Sequence, residues 1–89
     1  MDNDLHRAFQ ALGDPTRLAV VERLCAGPAS VSDLAAPFDM ALPAFVKHLG
    51  VLERAGLITS AKSGRVRTCH LAPERIAELT DWVAERRAV

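Results

Sequence analysis

Between Met40 and Leu71 an apolar-faced helix runs into a short strand, a basic turn and a second strand, an order that restricts this chain more than any other feature. Phe45, Leu49 and Leu52 recur at helical spacing and form one apolar face. At about 100° per residue, Pro43, Val46, Lys47, Gly50 and Arg54 fall on the other side. The pattern predicts a helix from about Ala41 to Ala55, ended by Gly56. Leu57 to Ala61 and Arg65 to Leu71 have the composition and alternation of strands, joined by a turn around Lys62-Ser63-Gly64.

The preceding residues supply a helical scaffold. Leu5, Phe9 and Leu12 lie on one face of a first helix that stops at Gly13. Asp14-Pro15 is an N-cap followed by proline at the first helical position. The helix it starts, Pro15 to Cys25, is expected to turn Leu18, Val21, Leu24 and Cys25 inward and Arg17, Glu22 and Arg23 outward. Gly27-Pro28 stops it. Ser30, with Asp33 three residues on, resembles a capping box opening a short helix, Val31 to about Ala36, and Pro37 to Met40 form the next turn. After the hairpin, Pro73 opens a last helix with Ile76, Leu79, Trp82 and Val83 in one stripe.

The order is therefore ααααββα, mainly α with a small β-hairpin. Two short helices joined by a tight turn and followed by a hairpin describe a winged helix-turn-helix, the third and fourth helices forming the motif and the hairpin the wing. Eighty-nine residues suffice for one such domain over 1–89. A chain this small buries only roughly 60–65% of its unfolded surface and gains stability from a partner. No apolar run approaches the ~18 residues of a bilayer span, and MDNDLHR lacks the apolar stretch of a signal peptide, so a soluble, cytoplasmic protein with no membrane partner is expected.

The net charge is zero, which alone argues against nucleic acid, but the distribution is uneven. Residues 1–40 hold three Arg against six acids (−3), residues 41–70 hold Lys47, Arg54, Lys62, Arg65 and Arg67 against Glu53 (+4), and residues 71–89 come to −1. The positive segment is the helix and hairpin, where a phosphate backbone selects cations.

Four stretches carry a resemblance to a known family: Ala11-Leu12-Gly13-Asp14-Pro15-Thr16-Arg17, Val31-Ser32-Asp33-Leu34-Ala35, Pro43-Ala44-Phe45-Val46-Lys47-His48-Leu49, and Val51-Leu52-Glu53-Arg54-Ala55-Gly56-Leu57-Ile58. Their spacing and content resemble the ArsR/SmtB-type winged-helix repressors, from Phe9 to about Val83. The resemblance implies a homodimer paired through its first and last helices. It would bind a roughly palindromic duplex operator and release it when a ligand or modification arrives. Helix 41–55 would be the recognition helix and the wing, 61–67, would hold the flanking backbone.

The chain departs from that pattern. Metal-sensing members carry a Cys-x-Cys-type motif near Val31 to Leu34, where this sequence has Val31 and Ser32, or ligands on the last helix, and Glu74 to Val89 contains no His. No metal site and no cofactor are expected, and no inducer can be named. The family often places Ser or Gln at positions matching Ala41, Leu42 and Val46 and a cation at Gly50. The chain stops soon after Trp82, which leaves a short last helix or a piece of a longer one.

The candidate DNA-binding residues are Ala41, Leu42, Pro43, Val46, Lys47, His48, Lys62, Ser63, Gly64, Arg65 and Arg67. Lys47 suits a phosphate or guanine. Leu42 and Val46 have two readings, thymine-methyl contact or packing against the next helix. Arg65 and Arg67 alternate with Val66 and would reach minor groove or phosphate from the wing, or simply solvate an edge strand. His48 lies on the edge of the core face and reads as a hydrogen-bonded structural histidine. Leu5, Phe9, Leu12, Ile76, Leu79, Trp82 and Val83 form the candidate dimer interface.

Cys25 closes the second helix where some relatives keep a redox-active thiol, yet Leu24, Ala26 and Gly27 supply no positive charge, and a buried structural cysteine is expected. The residues bring together no nucleophile–His–acid arrangement and no phosphate loop, so no enzyme is expected. The apolar groove face of Leu42, Pro43, Val46 and Gly50 supports one alternative, a winged-helix interaction or dimerisation module that has lost DNA binding.

Overall fold

The computed structural model describes residues 5–87. The elements are α1 (Leu5–Leu12), α2 (Pro15–Leu24), β1 (Ala29–Ser30), α3 (Val31–Ala35), α4 (Leu42–Arg54), β2 (Ile58–Ser63), β3 (Val66–Leu71) and α5 (Pro73–Arg87). This is a winged helix-turn-helix with one strand more than the periodicity predicted. β1 is two residues long and pairs antiparallel with β3, Ala29 opposite Cys69, giving the sheet order β1-β3-β2. Two residues are too few to show alternation, which is why β1 leaves no trace in the sequence pattern.

Local chemistry sets the helix ends. Asp14 caps α2 from an extended backbone (φ −116°, ψ 134°), and its Oδ2 accepts from the amides of Thr16 at 2.9 Å and Arg17 at 3.1 Å. Ser30 Oγ accepts from the Asp33 amide at 3.1 Å and so starts α3. At the far end of α4, Gly56 turns at φ +78°, its amide donates to Glu53 O, and the Leu57 amide donates to Leu52 O, both at 3.0 Å. That is the doubly bonded Schellman stop, and it delivers Leu57 into the core at 0% exposure.

The core draws on every helix and the sheet. Phe45, Leu52, Leu57, Ile58, Val20 and Cys69 are its largest fully buried side chains. Phe38, in the turn before α4, lies 5.4 Å from Phe45 ring to ring and closes the helix-turn-helix corner. Burying each such side chain contributes about 1.5–3 kcal/mol. α4 is thus anchored by Phe45, Leu49 and Leu52, as its spacing predicted.

The face of α2 differs from the expectation. Val20, Val21 and Leu24 are buried, whereas Leu18 is 43% exposed and Cys25 is exposed. Cys25 is the C-cap of the helix, and the chain turns outward there toward Gly27 (φ +135°), so it is not the buried structural thiol expected; Cys69 is the buried one.

The hairpin turn also lies later than predicted, β2 ending two residues and β3 starting one residue beyond the expected bounds. β2 extends through Lys62 to Ser63, Ser63 pairs with Val66, and the loop is Gly64-Arg65. Gly64 sits at φ +62° and Arg65 has negative φ, the sign pattern of a II′ hairpin turn, in which glycine takes the first central position. Arg65 is consequently a tip residue and not part of a strand alternation with Arg67.

Candidate nucleic-acid interface

α4 presents its outer side to solvent along most of its length. Leu42, Pro43, Val46 and Lys47 are exposed, and so are Ala41 at the N-cap and Arg54 in the last turn. Lys62, Ser63, Gly64 and Arg65 are exposed at the wing tip. Lys47, Lys62 and Arg65 form no hydrogen bond or ion pair with other described residues. Between α4 and the wing lies an open cleft of about 580 Å³, with Val46, Leu49 and Gly50 on one wall and Lys62, Arg65 and Arg67 on the other.

Three of the predicted contact residues behave differently from the rest. Arg67 is exposed but held: its Nη1 donates to Ser60 Oγ at 3.0 Å, and Ser60 Oγ donates to Glu53 Oε1 at 3.4 Å. This chain ties the wing to the last turns of α4 and spends part of the Arg67 donor set inside the molecule. Arg65 belongs to the tip, as described. His48 faces α2 and not the outer side of α4: Arg17 Nη1 lies 3.1 Å from His48 Nδ1, and Asp14 Oδ2 lies 3.6 Å from it.

The Arg17 guanidinium can only donate, so the 3.1 Å contact is a hydrogen bond to the neutral ring, accepted at Nδ1, whereas the Asp14 carboxylate 3.6 Å away is the counter-charge of the protonated ring. Arg17 Nε also donates to the Ala11 carbonyl at 2.7 Å, so one arginine joins the α1 end, the α2 start and the middle of α4. The Asp14 carboxyl is held below its ordinary 3.8 chiefly by the Arg17 amide, with desolvation opposing and the charges of His48 and Arg17 and the Thr16 amide assisting. His48 is therefore the hydrogen-bonded positioning histidine that its place on the core edge suggested.

Two cations and one apolar residue outside the expected set bear on the geometry of this surface. Arg54 folds back so that its Nη1 would lie 3.1 Å from a Cβ placed on Gly50, and Gly50 thereby makes room for it. Val66 is 52% exposed beside the wing tip. Arg17, expected on the outward side of α2, instead pairs with His48, and the separation of 31 residues hides that pairing in the sequence.

The candidate dimer residues divide in two. Leu79 is buried in the chain's own core at 7% exposure, and Leu5, Leu12 and Ile76 pack half-buried against that core. Phe9 (36%), Trp82 (40%) and Val83 (49%) stay exposed. Phe9 and Trp82 meet edge to face at 5.2 Å, and the Arg86 guanidinium lies 4.2 Å over the Trp82 ring. Phe9, Leu12, Ile76 and Val83 line a shallow apolar groove between α1 and α5.

Residues 12–61, more than half of the chain, match the helix-turn-helix domain family. The HTH-type transcriptional regulator Rv2034 of Mycobacterium tuberculosis is 44% identical over 73 residues, 82% of this chain and 68% of that protein. The crystal structure of an ArsR family transcriptional regulator superposes with a TM-score of 0.92 at 52% identity, covering 97% of this chain and 94% of that one. This chain belongs to the ArsR/SmtB family. A further ArsR-type relative, a homodimeric winged helix-turn-helix DNA-binding domain from Mycobacterium bovis, superposes at 0.75 with 25% identity over 97% of this chain and 82% of that one.

As an ArsR/SmtB protein the chain is a DNA-binding transcriptional repressor, and relatives named as regulators and repressors do not favour the interaction-module alternative. Among the described residues no three His, Cys, Asp or Glu side chains come together in a group that could hold a metal ion. Nor is any helix among them long and apolar enough to cross a membrane.

Proposed function

We propose that this chain acts in the cytoplasm as a homodimeric repressor that grips a palindromic operator through α4 and the wing. Residues 1–89 serve as one DNA-binding domain whose α1 and α5 supply the dimer contacts, Phe9, Trp82 and Val83 forming the exposed seam. The observation that carries the reading is a set of three exposed cations free of partners among the described residues, Lys62 and Arg65 lining the cleft between α4 and the wing and Lys47 on α4 next to the cleft residue Val46. Ala41, Leu42, Pro43 and Val46 would face base edges, while Ser63, Gly64 and Arg67 shape the wing that lies along the flanking backbone. His48 positions the reading helix from behind. A two-fold axis between the α5 helices would set the two α4 helices about one helical turn of DNA apart.

Three to five cations per subunit correspond to about six to ten phosphate contacts per dimer. Such a dimer loses about 10³–10⁵ in affinity between 50 and 200 mM salt. Titration of duplex DNA from its own promoter at those two salt concentrations tests this. A flat salt response, or equal affinity for random duplex, would refute it.

A further inference from the structure

The reading helix is apolar where a DNA reader is usually polar. Leu42 is 55% exposed and Val46 47% exposed, neither belongs to the core, and Val66 adds 52% on the facing wing. α4 contains no Asn, Gln, Ser or Thr from Leu42 to Arg54, so it has no side chain that can take adenine by its paired donor and acceptor. Its exposed polar groups are Lys47, Glu53 and Arg54, of which Glu53 already accepts from Ser60 and Arg54 is folded over Gly50. Exposed Val and Leu in a stripe need an occupant.

Charge selects the occupant. Val46 and Val66 share the cleft with Lys62, Arg65 and Arg67, and Lys47 follows Val46 on α4; Glu53 is the acid in the cleft and already accepts from Ser60. A polyanion carrying apolar points at base spacing fits that set of charges, and an apolar protein surface does not. In the major groove the one apolar group is the thymine C5-methyl. We propose that Val46 and Leu42 are specificity-determining residues that read thymine methyls, so that this protein recognises A·T pairs from the thymine side. The inference rests on the DNA-binding reading above and adds the chemistry of base choice to it.

The reasoning predicts which atom matters. Replacing thymine by deoxyuridine removes the methyl and keeps the O4 acceptor and the base pairing. Each methyl buried against Val46 or Leu42 is expected to be worth about fourfold in affinity, the factor for one methyl-sized group taken out of water.

The experiment starts from duplexes enriched from a random pool by the full chain, with the footprint mapped. Each thymine of the enriched site is then replaced singly by deoxyuridine, and dissociation constants are measured for the wild type, Val46→Ala and Leu42→Ala. One or two thymines per half-site should show the fourfold loss in the wild type. Val46→Ala should abolish the loss at one of them and Leu42→Ala at another. Uracil duplexes bound as tightly as thymine duplexes, with scrambled duplex still rejected, overturn the inference and leave the DNA-binding reading standing. A uracil penalty undiminished in both variants overturns it too, because the methyl is then sensed through DNA shape. No enrichment from the pool and no salt-dependent binding overturn both readings together. The wild-type comparison needs no variant to fold.

Discussion

Trp82 is the most informative residue to remove from the seam. It is 40% exposed in the isolated chain, and a tryptophan carries about 250 Å² of surface, so about 100 Å² is free to be covered by a second copy. At about 25 cal/mol per Å², that is worth about 2.5 kcal/mol per protomer and twice that per dimer, since an isologous interface uses the residue on both sides. Rim exposure and the alanine that replaces it halve the figure. Trp82→Ala is therefore expected to weaken dimerisation by about 2.5 kcal/mol, nearly two orders of magnitude in dissociation constant. Within one chain the variant also loses the 5.2 Å edge-to-face contact with Phe9, about 0.5–1.5 kcal/mol of fold stability. Sedimentation equilibrium from 0.1 to 100 μM gives the dimer constant, and far-ultraviolet circular dichroism checks the helices. A well-folded Trp82→Ala protein with an unchanged dimer constant would refute the seam, and the two-fold model of operator binding with it.

Other consequences concern charge and thiols. Lys47→Ala and Arg65→Ala are each expected to reduce the slope of log affinity against log salt by about 2 per dimer without altering the dimer constant; an unchanged slope would remove that residue from the phosphate contacts. Asp14, held below its ordinary 3.8, contributes stability that is complete above that value and lost as pH falls through its lower folded value. Asp14→Asn keeps a capping oxygen and loses the charge, so its deficit relative to wild type should be full at pH 7 and close below pH 3.8; urea titrations showing the same deficit at pH 7 and pH 2 would contradict this. Cys25 is exposed and Cys69 buried, with the Cys69 thiol pushed up first by burial and then by Glu53. A native-state thiol titration should give one fast equivalent, the second appearing only in denaturant, and two fast equivalents would count against the buried β3 cysteine.

The helices were legible because their signals are local and redundant. Asp14-Pro15, Ser30 with Asp33, and Gly56 act within a few residues of themselves, and all three operate in the structure as their chemistry predicts. α4 announced its core face for the same reason, three large residues at helical spacing. α2 did not, because its small and branched residues spread around the helix; Val20 and Leu18 are both apolar, and only packing decides which is buried. The wing turn slipped toward the C-terminus because Lys62-Ser63-Gly64 and Gly64-Arg65 are equally plausible loops by composition. The choice between them is made by the pairing of β2 with β3, which puts Ile58 opposite Leu71 and seats Ile58 and Cys69 in the core. β1 exists only because β3 offers it an edge.

The interface divides along the same line, and the division says what kind of reader this is. Residues whose role is to be exposed, such as Lys47, Lys62 and Val46, are recognisable from sequence because helical phase and turn position expose them. Residues whose role is to hold the exposed ones in place depend on partners far away in the chain: Arg17 on His48, Arg67 on Ser60, Arg75 on the Ala55 carbonyl at 3.1 Å. Each of these arginines looks like a solvated charge until the fold supplies its partner. The helix is thereby pinned at its middle by the α2 cap, at its last turns by the wing and at its end by α5. A reader with few polar groups of its own gains from that arrangement. If Lys47 and the Leu42–Val46 stripe read the groove as proposed, they have little adaptable hydrogen bonding with which to correct a misplaced helix, and selectivity would rest on presenting a rigid surface at a fixed angle to the groove.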